Sequence, residues 1–357
     1  MKKPSDTALI GWDIGGAHVK AARIDSGRVS GVVQVACPLW QGLDRLDTAV
    51  AEALAALGTA PRHAITMTGE MTDLFDARAD GVAGIAQRMH ALLSGAAVPD
   101  AAVPDTIALY AGRAGWAAVD QARARADDIA SANWLATAAW IATRLPQALL
   151  ADVGSTTSDL IVIDGGVATD SRSDADRLIT GELVYAGVVR TPLMALAPAI
   201  DFKGRRHRLM AEHFATTADV WRLLGELPEH ADQYPAADGG AKTVEASARR
   251  LARMIGRDLD EGTMEDWRAL AAAFADAQLD ALVDACRALP GIAALAPDAP
   301  VVCAGAGRFV AARLARALGR PAVTLGELIA DLAPDCADEA TTCAPAVAVA
   351  LLAEGGR

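Results

Sequence analysis

Residues 9–24 read LIGWDIGGAHVKAARI, and residues 149–163 read LLADVGSTTSDLIVI. Each is an apolar run ending in Asp, then a glycine turn, then a second apolar run: strand, turn, strand. The first turn is DIGGAH (13–18) and the second DVGSTT (152–157). Glycine lets a tight turn take positive φ and lets a ligand approach the backbone closely. Successive N–H groups in such a turn form a nest for an anion, and an Asp beside it can hold a cation. Gly-Gly between strands is also ordinary hairpin chemistry. The repetition, with each copy at the head of a half-chain, points to two α/β halves.

Working outward, Ser26-Gly27 makes a second turn into a third strand, Val29–Val35. Leu46, Val50, Leu54 and Leu57 give helical spacing over Leu43–Leu57. His63–Thr68 is a short strand running into Thr68-Gly69-Glu70, and a helix over Val82–Leu93 ends at Gly95. Residues 94–105 repeat Val-Pro-Asp and read as a loop before a strand at Thr106–Tyr110. Ser131 caps a helix predicted to run to Leu145, whose Ala136, Ala138 and Ala139 suit close packing between lobes. Pro146 marks a boundary, and the β pattern restarts at Leu149 with a hairpin turn at Asp164-Gly165-Gly166. Residues 209–286 are mostly helical, interrupted by a polar loop at Gly225–Gly240 that is placed to cover a cleft. Cys343–Ala353 is an Ala/Val-rich helix. The expected layout is 1–145, 146–342 and a terminal helix 343–357, in an α/β fold with a cleft between two lobes.

Composition narrows the function. Of 357 residues, 52% are hydrophobic and 22% charged, enough apolar surface for buried cores. The net charge of −12, with no basic cluster beyond KGRRHR (203–208), argues against phosphate-tracking nucleic-acid binding. KGRRHR reads as a solvated loop or as a contact for an acidic substrate. Cys37, Cys286, Cys303, Cys336 and Cys343 show no CxxC spacing, which suggests neither a disulfide frame nor a zinc site, and Cys303 reads as core. The start of the chain turns polar before any long apolar run, and no run of about 18 apolar residues occurs, so the expectation is a cytoplasmic protein with no membrane partner.

Three motifs, DIGG at the start, DVGSTT near the middle and VVCAGAGRFVAARL at 301–314, resemble the actin/sugar kinase/Hsp70 superfamily. DIGGAHVK (13–20), TGEMTDLF (68–75), DVGSTTSD (152–159), TGELVYAGVVRTPL (180–193), FATTADVW (214–221) and RRLARMIGRD (249–258) resemble its hydantoinase/oxoprolinase-related branch. That branch is found with tetrahydromethanopterin-linked one-carbon genes. The segments span most of the chain. The resemblance implies a two-lobed, ribonuclease H-like α/β fold with a central cleft, whose last helix returns to the first lobe. It also implies a transferase of methylofuran biosynthesis. Such an enzyme joins the phenol of a glutamylated tyramine or tyrosine to [5-(aminomethyl)furan-3-yl]methyl diphosphate and releases diphosphate. The implied cofactor is Mg2+, the partners are these small molecules, and a homodimer is allowed.

In this frame Asp13 and Asp152 organise magnesium, against the plainer role of capping a turn. Lys20 neutralises phosphate, or is a solvent-facing strand lysine. His18 stands where the superfamily's kinases have a hydroxyl or amide, which weakens an ordinary kinase reading. Gly15, Gly16 and His18 in one turn, and Gly154, Ser155, Thr156 and Thr157 in the other, line the diphosphate site. The alternative for the hydroxyls is local backbone bonding. Arg190 is a diphosphate clamp or a salt-bridge partner of Glu182. Glu182 is the first choice of general base, ahead of Glu70 and Asp73. Gly305 and Gly307 meet a ligand or simply let helix and strand pack closely. Two other functions stay open: an ATP-dependent kinase or amidohydrolase of the same fold, and a non-catalytic assembly component.

Overall fold

The hairpins written into residues 9–36 and 147–184 each seed a sheet in the computed structural model, which describes residues 8–96 and 107–355. The strands, in chain order, are β1 Leu9–Ile14, β2 His18–Asp25, β3 Arg28–Ala36, β4 Arg62–Met67, β5 Ile107–Tyr110, β6 Trp116–Ala117, β7 Gln147–Val153, β8 Ser158–Asp164, β9 Leu183–Val184, β10 Ala199–Phe202, β11 Arg205–Arg208, β12 Val301–Ala304 and β13 Ala322–Thr324. The chain divides into two compact units. One holds residues up to Gln147, with Ile163–Asp176 and the chain from Thr324; the other holds Ala148–Val162 and Arg177–Val323. Segments 163–176 and 324–342, expected with the second lobe, therefore lie in the first unit.

The first unit carries a six-stranded sheet in the order β3-β2-β1-β4-β5-β6. β1 pairs antiparallel with β2 and parallel with β4. All six residues of β1 are buried, as expected of a central strand covered on both faces. Ile10, Trp12 and Ile14 join a core with Leu46 and Val50 of the helix Asp44–Leu57 and with Val82, Ile85 and Met89 of the helix Arg78–Ala96. Leu9, Gly11 and Asp13 alternate to the opposite face. There the helix Ala344–Gly355 packs on β1 and on the helix Asn133–Ala142. The small residues of Asn133–Ala142 thus serve a contact inside the first unit. The predicted loop at 94–105 falls largely outside the described residues.

The second unit repeats the pattern in the order β13-β12-β7-β8-β9, so that the hairpin strands β7, β8 and β9 take the places of β1, β2 and β3. β12 lies parallel to β7, as β4 does to β1. This doubled strand order is the α/β, ribonuclease H-like architecture of the actin/sugar kinase/Hsp70 class. A separate hairpin, β10–β11, corrects the loop expected at KGRRHR: Lys203 and Gly204 take positive φ and form its turn. Among the described residues no single helix is long and apolar enough to cross a membrane.

Candidate functional site

In the first unit the site is set by register. Asp13 stands directly across from Lys20 in the β1–β2 pair. Asp13 is only 3% exposed. The Lys20 side chain keeps 21% of its surface, with Nζ 3.7 Å from Asp13 Oδ2. Asn133 brings its Nδ2 to 3.5 Å from Asp13 Oδ1. The turn between them is held from several sides. Gly15 N–H donates to the His18 carbonyl at 2.9 Å, and Thr68 N–H to the Ile14 carbonyl at 2.9 Å. Cys37 and Leu39 donate to the carbonyls of Ala17 and Gly16. His18 is buried in this turn. The arrangement is a fixed, partly open cation beside a glycine turn, which suits an anion.

Next to this turn, Glu70 is 1% exposed. Its Oε1 lies 2.8 Å from Ser131 Oγ, which also lies 3.0 Å from Asp174 Oδ2. Burial pushes the Glu70 carboxyl above the usual glutamate range. Bonding to backbone and Ser131 and the charge of Arg78 oppose the rise, while the charge of Asp174 adds to it. Ser131 does not cap the helix. The helix starts at Asn133, and Ser131 sits before it at φ 50, a left-handed conformation uncommon for serine. Asp73, the other runner-up base, is exposed.

The second unit holds the matching turn. Gly154 N–H donates to the Thr157 carbonyl at 2.8 Å, the same bond that closes the first turn. Residues 187–190 wrap it: Gly187 N–H bonds the Thr156 carbonyl at 3.0 Å, Val188 the Gly154 carbonyl at 3.0 Å and Arg190 the Ser155 carbonyl at 2.8 Å. Buried Gln278, a residue with no local sequence signal, fixes that wrap by donating to the carbonyls of Ala186 and Gly187. Ser155, Thr156 and Thr157 are partly exposed, Asp152 is buried and Arg190 exposed. Gly305 takes φ +81, and a Cβ there would run into the Val153 carbonyl and the Asp152 carboxylate. Gly307 N–H donates to the Val153 carbonyl at 2.7 Å, so close packing explains both glycines.

Glu182, the expected base, is buried. It is 2% exposed, its Oε2 accepts from Thr180 Oγ1 at 3.0 Å and its carbonyl accepts from Leu160 N–H. These bonds hold a strand–helix corner. Two branch motifs also prove architectural. Asp219 of FATTADVW accepts from Ser247 and Arg250, and Arg250 of RRLARMIGRD bridges on to Asp238.

Among the described residues no three His, Cys, Asp or Glu side chains gather into a metal cage. Asp13 and Asp152 each offer a single carboxylate. Either carboxylate alone suits magnesium arriving with phosphate oxygens and retained water, the usual way this ion is held.

Comparison with known proteins agrees with this architecture. The hydantoinase/oxoprolinase family model matches residues 62–334. A curated relative from Methanocaldococcus jannaschii, (4-{4-[2-(gamma-L-glutamylamino)ethyl]phenoxymethyl}furan-2-yl)methanamine synthase, is 28% identical over 251 residues, 70% of this chain and 72% of that protein. The synthase of the same name from Methanococcus vannielii is 34% identical over 113 residues, 32% of this chain and 51% of its own length. Among solved structures, a nucleotide-free acetone carboxylase superposes with a TM-score of 0.53 at 12% identity, over 94% of this chain and 70% of that one. At that identity the likeness speaks for the fold alone. With a family match over most of its length, the chain belongs to the hydantoinase/oxoprolinase family.

Proposed function

We propose that the chain is an enzyme, an ether-forming transferase of methylofuran biosynthesis. Its donor is [5-(aminomethyl)furan-3-yl]methyl diphosphate and its acceptor the phenol of a glutamylated tyramine or tyrosine. The curated relatives support this: their name describes a γ-glutamylaminoethyl phenol joined through oxygen and a methylene to an aminomethylfuran. In the step, the phenol oxygen bonds to the furan methylene while the bond from that carbon to the diphosphate oxygen breaks. Diphosphate leaves with the bonding pair, and the phenolic proton passes to a base. The ring oxygen's electrons stabilise positive charge on the methylene, so the larger task is stabilising the leaving oxygens.

The observation that carries the reading is the Asp13–Lys20 pair beside the glycine turn. Asp13 holds the ammonium in place, and Lys20 meets charge as it builds on the diphosphate. Bound magnesium, held by Asp13 directly or through water, would neutralise the diphosphate further, and Asp152 would hold an ion of the same kind at the second turn. The second turn, with Ser155, Thr156 and Thr157, by itself offers hydroxyl and amide donors to an anion. The test is purified protein with furan diphosphate and phenol acceptor, run without nucleotide and, in parallel, with ATP. A product with the ether's mass, and diphosphate released one for one, is the expected result. ATP hydrolysis without ether would support a kinase or amidohydrolase instead, and no binding of magnesium diphosphate would support an assembly component.

A further inference from the structure

The Ser131 hydroxyl carries one proton yet lies within hydrogen-bond distance of two carboxyl groups, Glu70 at 2.8 Å and Asp174 at 3.0 Å. With both carboxyls ionised, one of those contacts would set acceptor against acceptor around a buried charge. The contacts are all satisfied when Glu70 is a carboxylic acid: Glu70 donates to Ser131 Oγ, and Ser131 donates to Asp174. The second oxygen of Glu70 is buried without a hydrogen-bond partner, as suits a neutral acid better than a carboxylate.

The surroundings enforce this chain. A Cβ at Gly81 would stand 2.6 Å from the Glu70 carbonyl, so only glycine lets the helix seat the Glu70 turn. A Cβ at Gly69 would come within 3.3 Å of the Gly15 backbone, which places Glu70 against the first glycine turn. Ser131 holds φ 50 two residues before Asn133, whose amide reaches Asp13. Strain of that kind collects at functional sites. Of the three members, Glu70 and Ser131 are buried, while Asp174 is partly exposed.

We propose that Asp174 is the catalytic base that takes the acceptor's phenolic proton, with Ser131 and protonated Glu70 as positioning residues behind it. The proposal rests on the transferase reading. The proton leaves the phenol oxygen for the Asp174 carboxylate as the ether bond forms, and Glu70 stays neutral throughout. Arg78 and Asp174 are the charged groups whose fields act on Glu70 from the neighbouring helices. A carboxylate base works only in its ionised form, so the rate profile is expected to carry an acidic limb.

Two measurements on the whole protein test this. Isotope-edited infrared spectroscopy is expected to show a protonated carboxyl at neutral pH in wild type that is missing in Glu70→Gln. In kinetics, Asp174→Asn is expected to lower kcat about 10²–10⁴-fold with little change in KM and to erase the acidic limb of the pH profile. Ser131→Gly accepts the left-handed backbone without strain, so it folds while losing the link, and it is expected to shift that limb. Absence of the protonated carboxyl, or wild-type kcat with an intact limb in Asp174→Asn, would overturn the proposal. Failure of wild type to make ether would overturn the transferase reading instead, and the infrared measurement still decides whether Glu70 holds the proton.

Discussion

Lys20 is where the chemistry and the sequence meet most directly, because strand register alone sets it opposite Asp13. If its ammonium meets charge growing on the diphosphate, Lys20→Ala lowers the maximal rate about 10²–10³-fold, roughly 2.7–4 kcal/mol of transition-state stabilisation. Lys20→Arg keeps the charge with altered reach and recovers part of the rate. A merely solvated strand lysine would leave the rate unchanged, which steady-state diphosphate release at saturating acceptor reads directly. Asp13→Asn keeps the side chain's shape and is expected to fold normally while losing turnover across a magnesium titration. Near-normal turnover would remove Asp13 from the site. Asp13, Lys20 and both glycine turns were legible because each lies within one short local pattern. Asn133, Ser131, Asp174 and Gln278 were not, since each comes to its partner from a remote segment as a single polar residue. Ser131 carried a signal, serine before a helix, but its hydroxyl turns toward Glu70 and Asp174 and leaves the helix uncapped.

At the level of elements, hairpin turns and apolar runs made the strands β1–β4, β7, β8 and β12 readable. β11 was missed because Arg205–Arg208 is polar throughout, and only its pairing with β10 makes it a strand. The helices of the second unit are tied by a polar core. Arg250 and Asp219 are almost fully buried and lie 2.7 Å apart. Arg250→Met leaves the Asp219 charge buried and is expected to cost about 3–5 kcal/mol, toward the lower end because Arg222 also lies 3.5 Å from Asp219. Arg257→Met breaks a partly exposed pair with Glu261 and is expected to leave stability nearly unchanged. Urea melts of the two variants separate these outcomes.

A pH effect belongs to the β1–β4 pair. Burial lowers the His63 pKa from 6.5 to about 4, and neutral His63 Nδ1 accepts the Trp12 indole N–H at 3.1 Å. The unfolded chain therefore binds a proton that the folded chain refuses between those values. Stability is full above pH 6.5 and falls as pH drops toward 4, by an amount on the order of 3 kcal/mol. His63→Gln is expected to flatten that part of the stability profile; an unchanged slope would assign the acid sensitivity to other groups.

For the whole molecule, two units with the same strand order, each with an Asp–Gly turn at the end of its central strand, follow from two copies of one sequence pattern. Segments 163–176 and 324–342 group with the first unit through tertiary contacts, which no local sequence pattern reveals. The central claim is that the phenol oxygen attacks carbon, so that the carbon–oxygen bond of the furan diphosphate breaks. The direct test is turnover with an acceptor carrying heavy oxygen in its phenol, followed by mass analysis of both products. The account predicts the label wholly in the ether and none in released diphosphate. Label appearing in a phosphate ester of the phenol, with no ether formed, would contradict it.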